Sequence, residues 1–255
     1  MVMKRLTTFI FFMLFIPPLV AAPLKIGVTA GPHAIIMEKV KELAKAEGIE
    51  IQIIEFNDFI LPNIALNDKE LDINSYQHQP FLDEQVKTRG YKIKSAGKTV
   101  LMPLGIYSKN LKKIADLKEK SKIAIPSDPT NGGRALKLLA KEGLIKLNSS
   151  NNPCILDIIE NPKKLVILEI DAPQIPRVLD DVDAAIINTD WILLAGLNPE
   201  TALATEDKNS PYANVLAIRE GENRPEVERL IKIYQSNPIK VFIKEKFKGA
   251  ILPAW

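Results

Sequence analysis

The sequence is poor in the side chains that build metal centres and cross-links. Of its 255 residues one is Cys (Cys154) and two are His (His33 and His78). An intrachain disulfide is therefore excluded, and so is a four-ligand structural zinc site of Cys and His. A catalytic or transport metal would need mostly carboxylate ligands. Charge of one sign is also scarce: 34 Lys and Arg against 31 Asp and Glu give +3, too little to argue for nucleic acid or an acidic polymer as partner. Aromatics make up only 6%, within a composition (46% hydrophobic, 25% charged) that excludes disordered and fibrous classes. Beyond the first two dozen residues no apolar run approaches the length of a membrane span. What remains is a chain long enough to bury one large core or two modest ones without covalent staples.

The beginning of the chain reads as a targeting segment. Lys4 and Arg5 precede an apolar stretch, Phe9 to Ile16, that is broken by Pro17 and Pro18 and followed by small residues. A basic start, a short apolar region and small residues describe a secretory signal peptide over residues 1–22, cleaved after Ala21 or Ala22. An uncleaved anchor is disfavoured by the interrupting prolines. A lipoprotein signal would place Cys directly after the small residues. Ala and Pro stand there instead, so the expectation is an exported, periplasmic and soluble protein with no lipid anchor. Loss of Lys4 and Arg5 reduces the 34 basic residues to 32 against 31 acidic ones, and the basic character nearly vanishes.

The body alternates β-rich runs with amphipathic ones. Leu24 to Thr29 reads as a strand, and a helical face follows in Ile35, Ile36, Val40, Leu43 and Ala44. Ile49 to Ile54 is a strand, Leu61 to Leu66 a helix, Leu71 to Ile73 a brief strand, and Pro80 to Lys87 a helix opened by proline. Tyr91 to Ala96 and Val100 to Tyr107 close a first block. The alternation restarts with strands at Lys122 to Ile125, Leu165 to Ile170 and Ala184 to Ile187, a helix from Arg134 to Lys141 stopped by Gly143, and another around Pro173 to Leu179. Val215 to Arg219 and two helices, Pro225 to Gln235 and Ile239 to Phe247, end the chain. Such alternation predicts two α/β domains with mostly parallel sheets. The expected division is 23–107 plus 215–255 for one lobe and 108–214 for the other.

In open α/β sheets ligands bind beyond the carboxyl ends of the strands. Three such ends are rich in polar and aromatic residues: Asn74-Ser-Tyr-Gln-His-Gln-Pro-Phe81, Pro126-Ser-Asp-Pro-Thr-Asn-Gly-Gly-Arg134 and Asn188-Thr-Asp-Trp191. Together they suit a small zwitterion with an apolar tail. In the second loop, Ser127, Asp128 and Thr130 are helix-capping types, and Gly132-Gly133 would let the backbone approach a ligand closely. Arg134 could take a carboxylate bidentately, or it could be a surface Arg on a capped helix. The loop lacks the Gly-Lys-Ser/Thr ending of a phosphate-binding loop. Tyr76, His78 and Phe81 could wall an apolar side chain or merely fill a core. As a catalytic base His78 would need a nucleophile, and no Gly-x-Ser-x-Gly elbow accompanies it. Asn188 is either an ordinary helix cap or an acceptor for a ligand ammonium, and Asn214 offers a second amide.

These stretches, with Phe56-Asn-Asp-Phe-Ile-Leu-Pro-Asn63, Arg89-Gly-Tyr91, Glu160-Asn-Pro-Lys163, Ala172-Pro-Gln-Ile-Pro-Arg177 and Ser210-Pro-Tyr-Ala-Asn214, occur in an order that resembles the NlpA/MetQ family, the methionine-binding subunits of bacterial ABC importers. The resemblance runs from about residue 24 to Trp255. It implies a two-lobed periplasmic-binding-protein fold (type II-like), with methionine enclosed between lobes that close by hinge motion. It further implies a non-enzymatic monomer without cofactor or metal, which delivers its cargo to permease and ATPase subunits at the outer face of the inner membrane. Carried over position by position, Arg134 holds the ligand carboxylate, Asn188 and Asn214 engage its amino and carboxylate ends, and Asn131 belongs to the same loop. Phe59, Tyr76, His78 and Phe81 line the side-chain pocket. Relatives often carry Tyr at positions 59 and 81 and Phe at 76, so the hydroxyls point elsewhere here. The missing lipobox Cys is the larger departure, and Cys154, outside every matched stretch, reads as a structural thiol. The same fold could instead carry another apolar amino acid or a small methionine-containing peptide.

Overall fold

The computed structural model describes residues 22–255, so the signal peptide expected over residues 1–22 lies almost entirely outside the described residues. The chain first builds β1 (Leu24–Thr29), α1 (Pro32–Ala46), β2 (Ile51–Phe56), α2 (Leu61–Asn67), β3 (Ile73–His78), α3 (Gln79–Arg89) and β4 (Ile93–Leu101). It then crosses to β5 (Gly105–Tyr107), β6 (Lys122–Pro126), α4 (Pro129–Lys141), the short β7 (Lys146–Leu147) and β8 (Ile158–Glu160), β9 (Val166–Ile170), β10 (Ala184–Ile187), α5 (Thr189–Leu194) and β11 (Ala204–Thr205). It returns through β12 (Ala213–Arg219), α6 (Pro225–Tyr234), α7 (Asn237–Phe247) and β13 (Leu252–Pro253). One sheet has the order β13-β4-β12-β3-β1-β2 and the other β11-β5-β10-β6-β9. The two-lobed α/β fold is thus present, with two chain crossings between the sheets.

Two sequence expectations are corrected here. The sheets are mixed rather than mostly parallel. Parallel pairing is confined to the triplets β2-β1-β3 and β10-β6-β9, whereas β12 runs antiparallel to β3 and β4, and β5 antiparallel to β10 and β11. A strand returning from another lobe needs no crossover helix, so its direction is not fixed by the βαβ rule. The lobe boundaries also move. Gly105–Tyr107, assigned by sequence to the first lobe, pairs in the second sheet, and Ala213 and Asn214, assigned to the second, begin a strand of the first.

Both sheets are covered on both faces, which is what α/β burial requires. On one face of the first sheet Ile26, Ile36, Met37, Val40, Leu216, Ile243 and Tyr234 form a core, and on the other Leu66, Leu71, Leu82, Val215 and Ala217 form a second. Neighbours 215 and 216 fall in different cores because successive strand residues point to opposite faces. The α1 stripe is Ile36, Met37, Val40 and Ala44, each fully buried, while Ile35, expected on that face, is 38% exposed. In the second lobe Ile123, Ile125, Leu136, Leu139 and Ile186 pack beneath α4, and Ala185, Ile187, Ile175 and Trp191 lie on the opposite face. Each fully buried aliphatic side chain contributes about 1.5–3 kcal/mol.

Candidate ligand-binding site

β3 carries the aromatic stretch further than its composition suggests. Residues 74–78, read as a loop after a strand ending at Ile73, are β3 itself, and all are buried. Asn74 and Gln77 are tolerated there because their amides, with that of Asn63, satisfy one another. Asn63 and Gln77 exchange two hydrogen bonds (2.8 and 2.7 Å), Asn74 donates to Asn63 at 2.9 Å, and Gln77 donates to Asn74 at 3.0 Å. A closed amide network of this kind fixes β3 rigidly, since each lost bond would leave a desolvated polar group. At the end of β3, His78 caps α3: its Nδ1 accepts the Phe81 amide at 3.0 Å. That leaves Nε2 to carry the proton and donate to Asn131 Oδ1 at 3.2 Å.

Asn131 comes from the other lobe, in the first turn of α4. Asp128 caps that helix by accepting the Asn131 amide at 2.9 Å and also takes both side-chain bonds from Asn131 Nδ2, at 3.1 and 3.0 Å. With its nitrogen so held, Asn131 Oδ1 accepts from His78 and from Asn188 Nδ2 at 2.9 Å. One side chain thus ties together three strand ends and both lobes. Gly132 and Gly133 admit close packing of the neighbouring backbone and loop. A Cβ on Gly132 would stand 2.8 Å from the Pro126 carbonyl oxygen, and one on Gly133 2.7 Å from Asn152 Oδ1 and 2.9 Å from the Pro153 oxygen.

Arg134 is 3% exposed and is no surface residue. Nε and Nη2 form a two-pronged ion pair with Glu206 at 2.7 and 2.5 Å, and Nη2 also reaches the Met102 carbonyl at 2.8 Å. Its Cζ lies 4.5 Å from the centre of the Tyr212 ring. Both crossings between the lobes, at Met102 and at Glu206 to Tyr212, therefore converge on this guanidinium. Nη1 donates to no described residue, and Arg134 is among the residues that line the cavity.

Asn188 occupies the cap position of α5 without capping it. Its Nδ2 is held by Asn131, and its Oδ1 is buried with no hydrogen-bond partner among the described residues. An ordinary cap would not have this geometry. Asn214 sits opposite His78 in the antiparallel pairing of β12 with β3 and is 6% exposed.

All eight sequence-nominated residues, Phe59, Tyr76, His78, Phe81, Asn131, Arg134, Asn188 and Asn214, line one cavity. Phe59, Tyr76 and Phe81 stand 6.1 Å apart by ring centres, and Trp191 is 5.1 Å from Phe59. The Tyr76 hydroxyl donates to the Phe59 carbonyl at 2.9 Å, which removes it from the cavity as a free donor. One end of the cavity is therefore aromatic and the other carries amides and a guanidinium.

Four lining residues escaped sequence reasoning: His33, Gln77, Met102 and Asp190, as did Glu206 behind Arg134. Asp190 was within a quoted motif, but an acidic residue in a helix's first turn resembles an ordinary surface charge. Glu206 and Met102 carry no local signal, because only the chain crossings bring them to Arg134. Burial pulls the His33 imidazole down to about 3, and burial plus the nearby Arg134 charge does the same to His78. Both are neutral at physiological pH. Burial pushes the Asp190 carboxyl up to about 7, with Arg134 opposing. Among the described residues no three His, Cys, Asp or Glu side chains gather to hold a metal. Cys154 is exposed at the start of a short helical turn, Ile155–Asp157, and not a core thiol.

Two α/β lobes, two crossings and a small inter-lobe cavity with a charged and an aromatic end define a substrate-binding protein of the periplasmic type. Residues 24–255 match the model of the NlpA lipoprotein family, and the chain belongs to that family. The D-methionine-binding lipoprotein MetQ of Escherichia coli (strain K12) is 41% identical over 91% of this chain and 88% of its own. A nutrient-binding protein from Burkholderia cenocepacia, solved bound to methionine, is 50% identical with a TM-score of 0.89, covering 91% of this chain and all of that one. A periplasmic substrate-binding protein of an ABC transporter from Coxiella burnetii is 45% identical with a TM-score of 0.88, over 91% and 100% of the two chains. The relatives are binding proteins, and the chain is one as well, not an enzyme.

Proposed function

We propose that this protein captures one methionine molecule in the inter-lobe cavity and delivers it to the permease and ATPase subunits of an ABC importer. The observation that carries the reading is the mixed lining of the cavity: Arg134 and Asn188, whose Oδ1 is buried and unpartnered, together with the rings of Phe59, Tyr76 and Phe81. In this reading Arg134 holds the carboxylate, Asn188 and Asn214 engage the amino and carboxylate ends, and His78 and Asn131 hold Asn188 in place. The aromatic rings and Met102 receive the thioether side chain, where sulfur–aromatic contact is favourable. Burying a zwitterion is costly unless each charge finds a partner, and this cavity offers partners of both kinds. The methionine-bound Burkholderia relative and the named D-methionine-binding relatives support the cargo.

Among the described residues no helix is long and apolar enough to cross a membrane. The basic start and short apolar stretch within residues 1–22 support export, in keeping with docking on an inner-membrane importer. The test is a thermal-shift screen of both methionine enantiomers, the other apolar amino acids and methionine dipeptides, followed by calorimetry. A ligand that binds only the folded state at 100 times its Kd raises stability by about 2.7 kcal/mol. A shift with another ligand and none with either methionine would refute the cargo assignment.

A further inference from the structure

Asp190 has no role in the reading above, yet it is the second residue of α5, 4% exposed, and borders the cavity. Its Oδ1 accepts the Trp191 amide at 3.0 Å, while Oδ2 accepts from no other described residue. No cation among the described residues lies within ion-pair distance of it, and Arg134, the cationic side chain bordering the cavity, is already neutralised by Glu206. Two residues earlier, Asn188 Oδ1 is buried and equally without a donor. Two acceptors on one stretch of chain therefore front the cavity, and the protein supplies nothing to satisfy them. A buried carboxylate in this condition calls for a partner carrying positive charge and several N–H donors.

We propose that Asp190 is the counterion of the ligand's α-ammonium group, with Asn188 Oδ1 as its second acceptor, and that it restricts the pocket to ligands with a free amino group. The assignment deepens the methionine reading and rests on it. It gives the ligand's positive end an anionic partner, as Arg134 gives its carboxylate a cationic one. The other groups facing Asp190 cannot supply the pH response described next. His33 from α1 and His78 from β3 stay neutral above about pH 3, Tyr76 titrates far above neutrality, and Arg134 is ion-paired with Glu206. The helical turns packed against α5, Ala172–Val178 and Pro199–Thr201, contribute only the exposed Arg177 and Glu200.

In the empty pocket burial keeps the carboxyl largely protonated up to about pH 7. An ammonium beside it selects the ionised form, so binding expels a proton and affinity rises with pH. The gain is about tenfold per unit well below pH 7, levelling off above it.

Calorimetry of L- and D-methionine in phosphate and in Tris at pH 6.5 measures that proton directly and needs no variant. Release of roughly half to one proton per ligand is expected. Asp190→Asn, which keeps shape and one acceptor, should bind methionine at least about tenfold more weakly at pH 8. It should release no proton and lose the pH dependence between 5 and 8. N-acetylmethionine should bind wild type at least about tenfold more weakly than methionine. Wild-type binding of methionine without proton release, or an Asp190→Asn protein with unchanged affinity and pH profile, would overturn the Asp190 assignment while leaving the methionine reading intact. Failure of wild type to bind either enantiomer would overturn that reading, and this one with it.

Discussion

Replacing Arg134 by Ala should damage stability and binding through separable routes. The guanidinium is 3% exposed and its carboxylate partner Glu206 10%, joined at 2.7 and 2.5 Å. Removing one member of a buried pair costs about 3–5 kcal/mol because the other is left desolvated and unpaired. For a fold of this size each kcal/mol lowers Tm by about 2–4 °C, so the unliganded variant should melt about 6–20 °C lower. Loss of the ligand's carboxylate partner should separately weaken methionine binding by about 2–5 kcal/mol. The two losses are distinguished by a second variant, Arg134→Met with Glu206→Gln. It removes both charges and fills the space, so much of the melting temperature should return while the affinity does not. Differential scanning fluorimetry of the unliganded proteins and calorimetry with methionine read the two quantities. Wild-type methionine affinity in Arg134→Ala, or recovery of affinity in the double variant, would refute the role given to Arg134.

Three further outcomes follow from other parts of the molecule. Gly133→Ala would push a Cβ to 2.7 Å from Asn152 Oδ1 and 2.9 Å from the Pro153 oxygen. It should destabilise the protein by about 1–3 kcal/mol, and an unchanged denaturant midpoint would refute the close-packing role. Phe59→Ala, removing the ring that meets Tyr76, Phe81 and Trp191, should weaken methionine binding by about 1–3 kcal/mol. Equal affinity by calorimetry would take Phe59 out of the side-chain pocket. The third concerns pH. His33 and His78 fall from 6.5 to about 3 on folding, so between those values the unfolded chain binds protons that the fold excludes. Each lowers stability by up to about 1.4 kcal/mol per unit as pH falls. Asp190, raised from 3.8 to about 7, works the opposite way over pH 4–7 and cancels one of them. The net loss should be about 1.4 kcal/mol per unit from pH 6 to pH 4.5. Urea unfolding at the two pH values would contradict this if stability were equal or higher at pH 4.5.

The site was more legible than the strand that builds it. Tyr76, His78 and Phe81 stood out by residue type, yet residues 74–78 looked like a loop, because Asn, Ser, Gln and His are poor strand formers by propensity. Burial of Asn74 and Gln77 is made possible by Asn63, more than ten residues away in sequence, and that pairing cannot be read from local pattern. Asn188 was ambiguous for the same reason: cap and ligand acceptor differ only in what the side chain meets. Its bond to Asn131, 57 positions away, holds it away from the cap of α5.

The sequence by itself determined the local elements. Gly143 marked where α4 stops, because a helix end depends on backbone conformation within a few residues, whereas its start, expected at Arg134, lies at Pro129. Ordered motifs likewise sufficed to nominate the eight cavity residues. The partnerships were decided only by the tertiary structure. Glu206 against Arg134, Met102 and Asp190 in the cavity, and the antiparallel return of β12 all join parts of the chain separated by tens of residues. Charge balance and desolvation act through space and leave no mark on neighbouring positions, so the fold alone distinguishes Asp190, buried and unpaired, from an ordinary acidic residue at the start of a surface helix.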